Sequence, residues 1–181
     1  MKKLILIFSL VIFSGLIFNA CGNADDEDSC PDISGNYNVS KQVQEARIQD
    51  SQGNETPLSN IQGLITTDTT LNITQMDCDL VATEKDDTNN ITIFYTGWVD
   101  SDIYFELEIQ SPDDLVLNIT LEIPNVGSTI CKFTGYIEWS GDVDGNNLYG
   151  EIIYNLDKHL DETKQTCPKS LQIRATFSTN K

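Results

Sequence analysis

Apolar and polar residues alternate one by one along several segments of this chain. Between Leu115 and Ile123 every second side chain is apolar and most of the residues between are polar, and the same pattern runs through 102–109 and 171–177. Successive side chains of a β-strand point to opposite faces of a sheet, so this period of two predicts strands with one buried and one exposed face. The chain is therefore expected to be all-β and antiparallel.

Turn-forming residues separate the alternating segments and set the limits of the predicted strands. No stretch has a convincing helical period, although 42–50 could either extend the first strand or form a short helix. The predicted strands are 35–41, 70–76, 79–85, 91–99, 102–110, 114–123, 130–139, 147–156 and 170–178.

Three glycines favour a closed sheet over an open one. Gly97, Gly135 and Gly150 lie in phase with the apolar side chains of their strands, on the inward face. Glycine weakens the interior of a strand, and strong bending of a closing sheet is one reason to place it there. We expect an antiparallel up-and-down barrel of about eight or nine strands. A two-sheet β-sandwich is the alternative.

The first 20 residues have the layout of a secretory signal. Lys2 and Lys3 precede an apolar run that extends from Leu4 to Phe18, and the small residue Ala20 stands before Cys21. The run, about 15 residues, is short for a membrane-spanning helix, which needs about 20. The segment is therefore expected to direct export and then to be removed.

The motif Phe18-Asn19-Ala20-Cys21 resembles the lipobox of bacterial lipoproteins. The resemblance implies cleavage before Cys21, lipid on its sulfur, and a membrane contacted through that lipid. Gly22 follows the cysteine where an inner-membrane retention signal has Asp, which implies a cell-envelope protein at the outer membrane, facing the periplasm or the surface. The predicted division is a signal peptide at 1–20, a lipidated acidic tether at 21–32 and a single barrel domain at 33–181. An ordinary cleaved signal with an incidental cysteine is the alternative.

Charge restricts the partners. The formal net charge is −17, with acidic residues spread along the chain. Nucleic acids and anionic lipid surfaces require basic patches, so we expect no nucleic-acid partner.

The five cysteines suggest two disulfides. With Cys21 lipidated, four remain, and an even number in an exported chain is typical of disulfide pairing. Strict alternation of strand direction places all four at one end of the domain, and strand neighbours then favour Cys30–Cys78 and Cys131–Cys167. Wide spacing and a single histidine, His159, argue against zinc.

A second resemblance concerns the domain. The entrance to the first strand, Ser34-Gly35-Asn36-Tyr37, is similar to the start of lipocalin-like barrels, and the glycine-rich hairpin from Phe133 to Gly150 is similar to hairpins of lipocalin- and avidin-like domains in bacterial lipoproteins. The resemblance implies a barrel with an apolar pocket at one mouth. It implies no particular ligand.

No catalytic or metal-binding constellation stands out. The stretch 142–146 (DVDGN) has its glycine too early for a calcium loop and is better interpreted as a hairpin turn. No nucleophile–base arrangement can be built on His159, so we predict a protein that is not an enzyme and has no cofactor.

The aromatic residues are more informative. Tyr95, Trp139 and Tyr154 lie on inward phases, where they could line a ligand cavity or simply fill a core. Trp98 and Tyr104 lie on outward phases and could form a partner patch. Two functions follow: a membrane-anchored module that binds a small apolar ligand or an envelope component, or a structural or protein-interaction lipoprotein with a filled core. The oligomeric state is left open.

Overall fold

Residues 29–181, the part of the chain that the computed structural model describes, form strands, turns and loops with no helix among them. The predicted signal segment, Cys21 and most of the predicted tether lie outside these residues. The strands are β1 (Gly35–Gln49), β2 (Glu55–Pro57), β3 (Asp68–Met76), β4 (Asp79–Asp86), β5 (Ile91–Val99), β6 (Tyr104–Ile109), β7 (Leu117–Ile123), β8 (Gly127–Asp144), β9 (Asn147–Lys158) and β10 (Ser170–Asn180).

Eight of these strands form a closed antiparallel barrel. Its order is β10-β9-β8-β6-β5-β4-β3-β1, and pairing of β1 with β10 joins the first strand to the last. The predicted barrel is confirmed, and the sandwich alternative is wrong. The segment 42–50 extends the first strand, because β1 continues to Gln49.

The other two strands pair with the part of β1 that extends beyond β3 and with the part of β8 that extends beyond β6 and β9. β2 lies against Arg47–Gln49 of β1, and β7 lies against Gly127–Phe133 of β8. Both extensions lie at the same end of the barrel. We call this the upper end; it also holds the β4–β5 turn and the loop between β9 and β10. The lower end holds the chain before β1 and the turns after β3, β5 and β8.

Aromatic side chains fill the middle of the barrel. Trp139 packs against Phe177 with ring centroids 4.9 Å apart and against Tyr95 at 6.0 Å, and Phe105 packs on Phe177 at 6.1 Å. All four rings are buried. Edge-to-face packing of this kind stabilises the pairs beyond the burial of their area. A ligand therefore has no room at the centre of the barrel.

The in-phase glycines lie where two strands approach closely. A Cβ added at Gly97 of β5 would lie 1.8 Å from the carbonyl oxygen of Glu106 in β6, and Gly141 and Gly150 face each other across β8 and β9. A side chain at these positions would push the strands apart. The structure thus agrees with the bending that the glycines suggest.

Both predicted disulfides are present. The Cα atoms of Cys30 and Cys78 are 5.6 Å apart, and those of Cys131 and Cys167 are 5.7 Å apart. The prediction that all four cysteines share one end is nevertheless wrong. β6 and β7 both run antiparallel to β8, so they run in the same direction and the expected alternation fails between them. Consequently the first bridge lies at the lower end and the second at the upper end.

Several strand boundaries also differ from the predictions: β8 (Gly127–Asp144) is longer than expected at both ends, and two other strands begin later. The predicted strand 102–110 begins only at Tyr104, because Ile103, on the apolar phase of that segment, is 46% exposed and has a φ of 67°. The predicted strand 114–123 begins only at Leu117, since 110–116 form the connection that lets β7 run parallel to β6. β2 was not predicted.

We predict that Gly97→Ala lowers the free energy of unfolding by about 1–3 kcal/mol, because the new methyl group forces β5 and β6 apart. Denaturation in urea measures this value. Thr96→Ala, at the exposed neighbouring position, is the control and is expected to cost less than about 1 kcal/mol. Equal losses in the two variants would contradict the close approach of the strands.

Candidate functional site

A cleft with a volume of about 650 Å³ opens at the upper end of the barrel. It lies between the β4–β5 turn, the start of β7 and the segment 58–67, which we call the cap segment. The cap segment is fixed to the barrel, since Leu58 and Leu64 are buried and Lys41 N–H donates to the carbonyl of Thr67 at 2.7 Å. The volume falls within the range typical of small-molecule sites, about 300–1,000 Å³.

A buried ion pair forms the floor of the cleft. Lys41 of β1 and Glu84 of β4 are 6% and 2% exposed, and the Lys41 Nζ donates to Glu84 Oε1. The second carboxylate oxygen of Glu84 accepts from Tyr95 Oη at 2.8 Å. Lys41 Nζ also donates to Tyr154 Oη at 3.4 Å and lies 5.1 Å from the centre of the Trp139 ring. Buried charges remain ionised only with partners of this kind.

The protonation states of the floor follow from these contacts. Burial lowers the pKa of Lys41, but the oxygens of Tyr154 and Glu84 raise it by more, so that it stays above its ordinary value. Burial raises the pKa of Tyr154 to about 12, and it raises that of Tyr95 well above 10 with help from Glu84. At neutral pH the ammonium is charged and both phenols are protonated. These three groups are thus suited to hydrogen bonding rather than to proton transfer, which needs a pKa near the working pH.

Apolar side chains form the wall above this floor. They come from β5, from β7 and from the cap segment, and they include Ile91, Ile93, Leu117, Ile119 and Leu64. Two hydroxyl groups interrupt the apolar surface at its base, those of Thr69 and Tyr154. The cleft therefore combines an apolar wall with a polar floor and rim, and further polar side chains such as Thr67, Thr88 and Asn118 also line it.

A hydrogen-bonded rim joins the cap segment to the β4–β5 turn. The hydroxyl of Thr66 donates to Asp86, and Asn89 Nδ2 donates to Thr66 Oγ1 at 2.9 Å and to Asp86 Oδ2 at 2.7 Å. Burial raises the pKa of Asp86, but the hydrogen bonds from Thr66 and Asn89 lower it by more, so its carboxylate is ionised at neutral pH. The rim therefore presents a negative charge at the mouth of the cleft.

The structure separates the three inward aromatics that sequence analysis proposed for a ligand cavity. Tyr154 lines the cleft. Tyr95 and Trp139 are fully buried beneath the floor, where they contact Glu84 and Lys41. The outward patch also exists: the rings of Trp98 and Tyr104 lie 5.7 Å apart on the outer face.

Sequence analysis missed Lys41 and Glu84, although a signal for both was present. Lys41 follows Tyr37 and Val39 at intervals of two, and Glu84 follows Leu80 and Ala82 in the same way. Each charge therefore lies on the apolar phase of its strand. A charged residue on a buried phase needs a partner, and that requirement links the two positions.

The other candidate motifs take ordinary structural places. Asp142, Val143 and Asp144 belong to β8, and Gly145 and Asn146 make the hairpin turn to β9. His159 caps its own loop, as its Nδ1 accepts from Asp161 N–H at 3.2 Å. Over residues 29–181 no group of three or more His, Cys, Asp or Glu side chains is placed to hold a metal ion. The same residues include no helix long and apolar enough to cross a membrane.

We predict that Lys41→Met lowers the free energy of unfolding by about 3–5 kcal/mol, because it leaves the carboxylate of Glu84 buried without its cation. The double variant Lys41→Met/Glu84→Gln removes both charges and keeps an acceptor for Tyr95, so it should recover more than half of the loss. Urea denaturation is the measurement, and Lys85→Met, at the exposed next position, is the control. A Lys41→Met variant as stable as the control would show that the ion pair does not form.

Comparison with known proteins finds no matching family model and no matching curated protein or solved structure. A function is therefore proposed from the geometry of the cleft itself.

Proposed function

We propose that this protein is a lipid-anchored bacterial lipoprotein whose barrel binds a small, largely apolar molecule in the cleft at its upper end. The observation that carries the proposal is the cleft of about 650 Å³, with an apolar wall above the buried Lys41–Glu84 pair. Since aromatic rings fill the middle of the barrel, the cleft is where a ligand of this size would fit among the described residues.

The polar floor supports binding over a purely structural role. Apolar residues of similar volume would fill the base of a barrel at least as stably as a buried ion pair does. The Thr69 hydroxyl adds to the free-energy cost of burying polar groups at the floor. Thr69 is only 7% exposed, and its hydroxyl has no hydrogen-bond partner among the described residues. A ligand that supplies a partner would offset this cost.

The anchor fits the geometry of the domain. The described chain enters at the lower end, where Cys30 is bridged to Cys78. Eight residues lie between Cys21 and Cys30, and their maximum reach is about 28 Å. A lipid on Cys21 would hold the lower end close to the membrane and leave the cleft facing away from it.

A protein-interaction role is the second candidate. Phe94 and Trp98 are exposed on the outer face of β5, and Tyr104 lies beside Trp98. Exposed aromatics of this kind are enriched at protein interfaces. The two candidates can be told apart by substitution. A larger side chain in the cleft would block ligand binding, whereas one on the outer face would block a protein partner.

We predict saturable binding of the neutral hydrophobic dye N-phenyl-1-naphthylamine, with one molecule per barrel, measured by the emission of the directly excited dye. Leu117→Trp should weaken binding by about tenfold or more, because the larger ring occupies the cleft. Ile130→Trp adds the same ring on the exposed side of the same hairpin and should leave binding unchanged. If the dye does not bind, or if both variants behave alike, the cleft is not a ligand site.

We further predict that a radiolabelled lipid precursor supplied to growing cells labels the protein, and that Cys21→Ser abolishes the label. Gly22→Ala, next to the modified position, should keep it. An unaltered protein that stays unlabelled and is recovered free in the periplasm or the medium would rule out the anchor.

A further inference from the structure

Two hydroxyl groups at the base of the cleft have hydrogen-bonding capacity that the described residues do not use. Tyr154 Oη accepts from Lys41 Nζ at 3.4 Å, but its own proton has no acceptor among residues 29–181. Thr69 Oγ1 has no partner in the same part of the chain. Both side chains line the cleft and are at least nine-tenths buried. Leaving such groups unpaired costs free energy that an acceptor atom in the cleft would recover.

We propose that the cleft takes an uncharged amphiphile, whose carbonyl or ester oxygen accepts hydrogen bonds at the Tyr154 and Thr69 hydroxyls while its hydrocarbon body lies on the wall near Ile93 and Leu117. This inference rests on the ligand-binding function proposed above and specifies the class of ligand.

The charges around the cleft disfavour an anionic head group. Lys41 is the one cationic side chain among the described lining residues, and Glu84 already neutralises it. A carboxylate head would become a third acid beside Glu84 and Asp86, in a protein whose net charge is −17. It would lose its hydration without gaining a cation of its own.

A cationic head group is disfavoured by the same pair. Both oxygens of Glu84 already accept hydrogen bonds, one from Lys41 and one from Tyr95. An ammonium head at the floor would lie beside the charged Lys41 and would have to displace one of these donors. At the floor, the hydroxyls of Tyr154 and Thr69 are therefore the groups open to a ligand, and a neutral oxygen acceptor satisfies them without adding charge.

Competition among three molecules with the same nine-carbon chain tests the head group. 2-Nonanone, nonanoate and nonylamine are each titrated against the bound dye at neutral pH, and calorimetry measures 2-nonanone binding directly. We expect the ketone to displace the dye at a concentration about tenfold lower than either charged molecule needs, because the charged heads are not paired in the cleft.

Removing the hydroxyls tests whether these two side chains donate hydrogen bonds to the ligand. Tyr154→Phe and Thr69→Val should each weaken ketone binding, relative to dye binding, by about three- to tenfold, the effect of one hydrogen bond. Tyr136→Phe removes the hydroxyl of an exposed tyrosine outside the cleft and should leave the ratio unchanged.

The head-group assignment is overturned if nonanoate or nonylamine competes as well as the ketone, or if both hydroxyl variants leave the ratio of ketone to dye affinity unchanged. In either case, dye binding that is lost in Leu117→Trp would leave the ligand-binding function standing. If neither the dye nor the ketone binds the unaltered protein, both proposals fail.

Discussion

The pairing of β1 with β10 closes the barrel, and the rest of the structure depends on it. The ladder runs from the pair Asn38–Asn180 to the pair Gln49–Ser170 and uses the backbone groups of what would otherwise be two edge strands. Closure places Lys41, which lies opposite Phe177 in this ladder, on the inner face. In an open sheet β1 would be an edge strand, and Lys41 would be exposed to water on a sheet face that no opposite strands cover, while Glu84 would lie two strands away in β4. The buried ion pair therefore depends on the closed topology.

Unequal strand lengths then give the two ends of the barrel different properties. At the lower end the strands meet in short turns, and the bridge from Cys30 to Cys78 holds the chain that leads into β1. At the upper end β1 extends past β3, and β8 extends past β6 and β9; β2 and β7 pair with these extensions. The chain that returns from β2 to β3 covers part of this end, and the cleft is the space left between it and β7. The same asymmetry points the cleft away from the end at which the chain enters.

Local patterns in the sequence predicted most of the fold, because a strand with one buried face has an apolar residue at every second position. The barrel strands and the closure of the barrel follow from that pattern together with the glycines. Both cysteine pairs were predicted correctly from strand neighbours, although the alternation of strand direction assumed for them fails at β7. The direction of β7 does not follow, since it depends on how the connection 110–116 crosses the barrel rather than on any residue within the strand. The cleft depends on the same connection, because that connection places β7. The cleft therefore could not be predicted from the pattern of each strand taken separately. Lys41 and Glu84 were predictable in principle, as charges on apolar phases. That they pair with each other depends on the register between β1 and β4, which residues 43 positions apart in the chain do not reveal locally.

The central claim is that a neutral ligand binds at the upper end of a barrel whose middle is filled. The most direct measurement is a titration of the isotope-labelled protein with 2-nonanone, followed through the backbone amide resonances in two-dimensional NMR spectra. The account predicts that the amides of Thr69, Ile93 and Leu117 shift progressively and saturate, while those of Val99 and Gly145 at the lower end do not move. Shifts confined to the lower end, or to the outer face around Phe94 and Trp98, would contradict it.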